Sequence, residues 1–238
     1  MNELRTLDLF SGIGGMSLAM ERAGCKTVQF VEQDEYCREI LRRHWPDVAQ
    51  HDDIKTFQGC EADIITAGWP CPPHSVAGRR QGKSDERNLW PETMRIIRAV
   101  RPRYFLGENV PGIVSTMLDE CIDDLEAENY DVWPMLVPAY LFGASHRRER
   151  LFIVAYDSGQ RVEGLWTQGI KKPRALDAAL LSIRHCDGQW KVEPDFRRID
   201  DGLSNRMDRT PRLKALGNSV YVPLIEQIGR AIIASEGR

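Results

Sequence analysis

Between Leu4 and Tyr156 the chain alternates short runs of strand character with stretches of helical spacing, and few folds accept that order. Leu4 to Leu9 reads as a strand. The glycine-rich turn Phe10-Ser11-Gly12-Ile13-Gly14-Gly15 follows, then a helix through Ala23 that Gly24 closes. Thr27 to Glu32 is a second strand, and Glu35 to His44 a helix that Asp34 can cap. Asp63 to Ala67 forms a strand, Pro91 to Val100 a helix and Arg103 to Gly107 a strand. Pro111 through Glu128 reads as one helix with proline in its first turn. Asp131 to Val137 and Leu151 to Tyr156 close the series as strands. Alternation of this kind predicts an α/β fold of the Rossmann-like class, a mostly parallel sheet with helices on both faces.

After Asp157 the periodicity fails. Residues 158–205 scatter Gly, Pro, Trp and charge around one helical candidate, Ala175 to Arg184, and are expected to form a small irregular subdomain. Periodicity returns at Arg212 and ends in an amphipathic helix, Pro223 to Ala234. The expected organisation is therefore a domain over 1–157, an inserted piece over 158–205 and a C-terminal segment over 206–238 that folds back onto the first. No apolar run reaches the roughly 18 residues a membrane span needs, and Met1 to Arg5 lead into a strand without a signal peptide. The six cysteines, Cys25, Cys37, Cys60, Cys71, Cys121 and Cys186, show neither CxxC pairing nor zinc-ligand spacing. No metal is expected, and the thiols fit the reducing cytoplasm. Net charge is −3, yet residues 161–214 hold twelve Lys and Arg against eight Asp and Glu. Residues 76–104 are likewise rich in arginine. Two basic stretches in an acidic chain mark a polyanion-binding face or, as readily, solvated helix surfaces.

Chemistry concentrates at the ends of the predicted strands. The apolar run Ile64 to Trp69 leads into Pro70-Cys71-Pro72-Pro73-His74-Ser75, where three prolines allow only a loop. That places Cys71 at a strand's carboxyl end, where open α/β sheets build their sites. The thiol is a nucleophile or a packing residue. The glycine turn is not G-x-G-x-x-G, because position 17 is Ser, so a plain tight turn competes with a nucleotide-binding one. Glu32, at the end of the second strand, has the position that bonds ribose hydroxyls in such folds. Asp53 can accept from an adenine amino group or simply serve a turn. Glu108, after the strand Tyr104-Phe105-Leu106, can face the thiol or serve the N-terminus of the next helix. Arg148 and Arg150 share one face of their strand.

Five of these runs, in order, resemble the signature motifs of DNA cytosine carbon-5 methyltransferases: Asp8-Leu9-Phe10-Ser11-Gly12-Ile13-Gly14-Gly15, Pro70-Cys71-Pro72-Pro73-His74-Ser75, Glu108-Asn109-Val110, Arg148-Glu149-Arg150 and Gly217-Asn218-Ser219-Val220. The resemblance covers nearly the whole chain outside 158–205. It implies an enzyme that transfers a methyl group from S-adenosylmethionine to carbon 5 of a cytosine flipped out of double-stranded DNA. By that resemblance Cys71 adds to carbon 6, Glu108 holds or protonates ring nitrogen 3, and Arg150, supported by Arg148, bonds the cytosine carbonyl oxygen. Phe10, Gly12, Ile13 and Gly15 cradle the amino-acid end of the donor, Glu32 its ribose, and Asp53 and Ile54 its adenine. Pro70, Leu89, Asn218 and Val220 complete that pocket. The implied setting is a monomer in a bacterial or phage-infected cell, in some systems beside a cognate restriction endonuclease.

Two departures from the family pattern stand out. Pro72, His74 and His146 replace residues common in the family, which bears on how the gap left by the flipped base is filled. The recognition region, 158–205, is short, with Trp166, Lys171, Lys172, Arg174, Trp190, Arg197 and Arg198 as DNA-facing candidates. Few base-edge contacts fit there, so a short or relaxed recognition sequence is expected. Three readings compete: a transfer RNA methyltransferase of the same family, whose Cys-Phe-Thr motif does not occur here; a catalytically idle DNA-binding relative; and another adenosyl-cofactor enzyme.

Overall fold

The computed structural model describes residues 3–70, 88–144, 148–158, 215 and 219–236. Its strands are β1 (Arg5–Leu9), β2 (Lys26–Val31), β3 (Ala49–His51), β4 (Ile64–Ala67), β5 (Tyr104–Asn109), β6 (Tyr130–Pro138) and β7 (Glu149–Asp157). All seven join one sheet in the order β3-β2-β1-β4-β5-β7-β6. Strands β1 to β5 pair in parallel, while β7 is antiparallel to both β5 and β6. The fold is thus the expected mostly parallel α/β sheet, with one strand reversed.

The helices are α1 (Gly15–Ala23), α2 (Glu35–His44), α3 (Trp90–Val100), α4 (Leu118–Ala127) and α5 (Val222–Glu236). Asp34 caps α2 by accepting from the amides of Tyr36 and Cys37. Strand β4, Ile-Ile-Thr-Ala, is buried at every position, as a strand covered on both faces must be. Leu7, Leu9, Ile65, Ala67, Trp69 and Phe105 share a core with Met94 and Ile97 of α3 and Leu125 of α4. Ile64, Leu106, Phe152 and Val154 belong to the other core, with Met16 and Met20 of α1 and Ile225, Ile228 and Ile232 of α5. Each such fully buried Leu, Ile or Phe contributes about 1.5–3 kcal/mol relative to exposure.

Three local expectations are corrected. The single helix over Pro111 to Glu128 is a 3-10 turn, Pro111–Ser115, followed by α4. Hydroxyls break it: Ser115 Oγ and Thr116 Oγ1 both donate to the Gly112 carbonyl, at 3.3 and 3.1 Å, in competition with helical amides. Strand β3, Ala-Gln-His, adds to the expected series, since three residues are too few to carry a periodic signal. Strand β5 runs on to Asn109, so Glu108 lies within the strand rather than after it. The expected insert over 158–205 falls outside the described residues except for Ser158, as does the segment from 206 to 214.

Candidate functional site

A cavity of about 480 Å³ opens where β1, β2, β4 and β5 end, within the range of small-molecule sites. Because β7 runs antiparallel, its beginning lies at this same edge. The register that pairs Asn109 with Leu151 therefore brings Arg150 beside Glu108.

One end of the cavity is built on the turn after β1. Phe10 adopts a left-handed backbone, φ 56°, which costs a non-glycine residue on the order of 1–2 kcal/mol. Ser11 holds it there, its amide donating to Val31 O at 3.2 Å and its Oγ to Asp8 O at 2.7 Å. Gly12 is also left-handed, φ 54°, with open space where a side chain would stand. Glu32, just beyond β2, accepts from the amides of Gly12 at 2.7 Å and Asp34 at 2.8 Å. Its carboxylate is thereby fixed in the cavity wall beside Phe10, Gly12 and Ile13. Gly15 also lines the cavity. A Cβ there would come within 2.9 Å of Val220, so its smallness admits the C-terminal segment that brings Val220 to the wall.

Beneath this turn lies Asp8, fully buried. Its carboxyl accepts from Ser17 Oγ of α1 at 2.7 Å and Thr66 Oγ1 of β4 at 2.6 Å. Burial pushes its pKa up to about 6, with the Glu32 charge adding to the rise and the two hydroxyls opposing it. This residue ties the glycine turn to the strand that leads into Pro70.

The opposite end holds Glu108, whose side chain is 12% exposed, with Arg150 Nε 2.9 Å from its Oε1. Burial raises the Glu108 pKa above its ordinary value, while Arg150 and Arg148 pull it back. Arg148 lines the same wall and donates through Nη2 to the Ser219 carbonyl at 2.6 Å. Burial and the Arg150 charge lower its pKa. Asn109 Nδ2 donates to the Trp69 carbonyl at 3.0 Å, clamping β5 to the residue before Pro70. Trp69 and Trp90, on either side of residues 70–89, pack with ring centroids 4.9 Å apart.

Of the residues singled out in the sequence, Phe10, Gly12, Ile13, Gly15, Glu32, Pro70, Leu89, Glu108, Arg148, Arg150 and Val220 all line this cavity. Asp53 and Ile54 do not. Asp53 Oδ1 accepts from the Lys55 amide at 2.9 Å, a turn role, and Ile54 is buried in the core. Arg95 of α3 anchors that turn through the carbonyls of Ile54, at 2.6 Å, and Phe57, at 2.8 Å. Cys71, His74, His146, Asn218 and the recognition candidates from Trp166 to Arg198 lie outside the described residues. Asp8, Asn109 and Ser219 also serve the site, and although each sits inside one of the five motif runs, no local signal sets it apart. Cys37, one of the scattered cysteines, also lines the cavity. Among the described thiols, burial raises Cys25 to about 11 and Cys60 above its ordinary value, which makes both poor nucleophiles. Among the described residues no cluster suited to a metal ion occurs.

The donor set discriminates between ligand classes. A fixed carboxylate, an open glycine and apolar walls (Phe10, Ile13, Leu89 and Val220) suit an adenosyl group carrying positive charge. The guarded acid between two arginines suits a polar ring that needs a proton at one edge and a donor at the next.

The sequence matches the family described as C-5 cytosine-specific DNA methylase over residues 4–195. The Type II methyltransferase M.HgiCII of Herpetosiphon aurantiacus is 36% identical over 163 residues, which are 65% of this chain and 37% of that protein. The Type II methyltransferase M.NgoBI of Neisseria gonorrhoeae is 32% identical over 97% of this chain and 71% of its own length. The chain thus spans little more than a third of the length of some relatives it matches. Among solved structures, an E. coli prophage-encoded protein described as a DNA modification methyltransferase superposes with TM-score 0.56 at 28% identity, over 66% of this chain and 47% of its own. A DNMT2 of Spodoptera frugiperda shares the fold with TM-score 0.55 at 23% identity, over 67% of this chain and 51% of its own.

Proposed function

Since the chain belongs to the C-5 cytosine-specific DNA methylase family, we propose that it methylates carbon 5 of cytosine in double-stranded DNA, using S-adenosylmethionine. The observation that carries this reading is a single cavity with Glu32 at one end and the Glu108–Arg150 pair at the other. Donor and base would meet between them.

When bound, S-adenosylmethionine supplies a methyl group on a sulfonium, an electrophile for an activated carbon 5. Glu32 would hold its ribose hydroxyls through the lone pairs that Gly12 and Asp34 leave open. Phe10, Ile13, Leu89 and Val220 would pack its apolar parts, while Asp53 and Ile54, which stand outside the cavity lining, would have no direct part in holding it. Asn218 would close the pocket beside Val220.

The remaining steps belong to the chain. The backbone passes from Pro70, in the cavity wall, directly to Cys71. The Cys71 thiolate attacks carbon 6 of the flipped base, and its sulfur–carbon bond forms as electrons move toward ring nitrogen 3. Glu108 donates its proton there, a task that its raised pKa favours. Arg150 bonds the carbonyl oxygen, and Arg148, braced on Ser219, keeps that end of the site positive. After methylation, loss of the carbon 5 proton to water expels the Cys71 thiolate, and ring nitrogen 3 returns its proton to Glu108, which restores both the neutral ring and the acid.

Residues 1–157 would form the catalytic and cofactor-binding domain, 158–205 the recognition region, and 206–238 the segment that returns Ser219 and Val220 to the site. Few base contacts fit in 158–205, so much of the affinity would come from phosphates and the recognised sequence would be short or relaxed. Mapping that revealed a strict site of six or more bases would refute this part. A monomer in the cytoplasm, paired in some hosts with a restriction endonuclease, completes the proposal. Tritiated S-adenosylmethionine offered with duplex DNA and with transfer RNA, beside a Cys71→Ser control, tests it. Label on carbon 5 of DNA cytosine that vanishes in the variant supports the reading, and label in transfer RNA alone, or in neither, overturns it.

A further inference from the structure

Gly68 is a glycine that the described residues around it do not require. Elsewhere at the site the reason is visible. A Cβ at Gly15 would meet Val220 at 2.9 Å, one at Gly107 would meet Trp69 at 2.8 Å, and one at Gly14 would meet Trp45 at 2.5 Å. Gly12 needs its left-handed φ of 54°. Gly68 is not among the residues with positive φ, and among the described atoms a Cβ there would meet only Glu108 Oε2, at 3.7 Å. That is an ordinary van der Waals distance, so alanine would fit both the backbone and its described neighbours.

Its place in the sheet explains what the space is for. Leu9 pairs with Ala67, and Ala67 with Gly107. One step beyond that row, Gly68 falls between Phe10 and Glu108, and it lines the cavity that both residues share. Its amide points back to Leu9 O, at 3.4 Å, so the chain is still held flat against the sheet there. Phe10 belongs to the end built for the donor and Glu108 to the end built for the base.

We infer that the missing side chain at Gly68 reserves the point where the donor's methyl group and carbon 5 of the base approach each other. Gly68 sets the alignment of the two reactants and contributes little to holding either one. The inference rests on the methyltransferase reading above. Reacting atoms must come within about 3–3.5 Å, and a displacement of about 1 Å costs on the order of 100-fold in rate. A single added methyl group on the cavity floor is enough to impose that displacement.

The test is Gly68→Ala in the whole chain, measured four ways. Expected are an unchanged melting temperature, S-adenosylhomocysteine affinity within about threefold of the parent, and retained exchange of the cytosine carbon 5 hydrogen with solvent in the absence of donor. The kcat for methyl transfer falls on the order of 100-fold. A variant with near-parental kcat overturns the inference. So does one that melts several degrees lower, which would mean that packing requires the glycine, or one that loses homocysteine-product affinity along with turnover, which would make Gly68 part of the donor's grip. A parent chain that methylates no DNA removes the methyltransferase reading itself, and the inference with it, whereas an active parent with an active variant removes the inference alone.

Discussion

Asp8→Asn should change how stability depends on pH, by an amount the structure sets. The carboxyl is fully buried, and its pKa stands at about 6 against an ordinary 3.8. A raised acid favours folding fully below its unfolded pKa, and that advantage is lost as pH rises through the folded value. At about 1.36 kcal/mol per pH unit, the displacement from 3.8 to about 6 costs the folded state about 3 kcal/mol at neutral pH. Roughly 2 kcal/mol of this develops between about pH 4.5 and about pH 7.5. Asparagine has nearly the same volume and does not titrate. It can accept from the Ser17 amide and Oγ and donate to Thr66 Oγ1, whose hydroxyl rotates to receive it. Urea unfolding of parent and variant at the two pH values measures the effect. The variant's stability relative to the parent should improve by about 2 kcal/mol at the higher pH. Carboxylates that do not interact with Asp8 cancel in the difference. Curves that stay parallel to within about 0.5 kcal/mol would refute the assignment of a costly buried charge to Asp8.

Glu108→Gln should lower kcat by about 100- to 10,000-fold with homocysteine-product affinity unchanged, since glutamine cannot deliver the proton. In the parent, the limb of the pH–rate profile that reports loss of the Glu108 proton should lie above the ordinary carboxylate range, because burial raises that group. A profile with no such limb, or an active variant, would remove the proton-donor role. Arg95→Ala strips two carbonyl bonds from the turn at Ile54 and Phe57. It should cost about 1–3 kcal/mol of stability by chemical denaturation. An unchanged unfolding midpoint would show that the turn holds without it.

How much of this was legible in the sequence depended on whether the cause was local. The buried runs at β1, β4 and β5 announced themselves, because strands covered on both faces must be apolar. Strand β3 did not, being three residues at the sheet's edge. The break between the 3-10 turn at Pro111 and α4 was written in Ser115 and Thr116, whose hydroxyls compete for the Gly112 carbonyl. The Glu108–Arg150 pair could be suspected from motif order but not seen, since it exists only because β7 reverses. The Asp8–Thr66 bond joins residues 58 positions apart, and no local pattern encodes it. Asp53 was ambiguous from the start, and its bond to the Lys55 amide gives it a turn role. Gly68 carried no local signal, because its meaning lies in what it leaves empty.

The central claim, that Cys71 attacks a cytosine held beside Glu108 and Arg150, is tested most directly by trapping the adduct. In duplex DNA that carries 5-fluorocytosine at the target, methylation leaves no carbon 5 proton to remove, so the thiolate cannot be expelled. Denaturing electrophoresis and intact mass should show one protein joined to one DNA strand carrying one added methyl group, with the link on the Cys71 peptide. The complex should require S-adenosylmethionine and be absent from Cys71→Ser. A duplex methylated without a covalent complex, or a link mapped to another residue, would contradict the account.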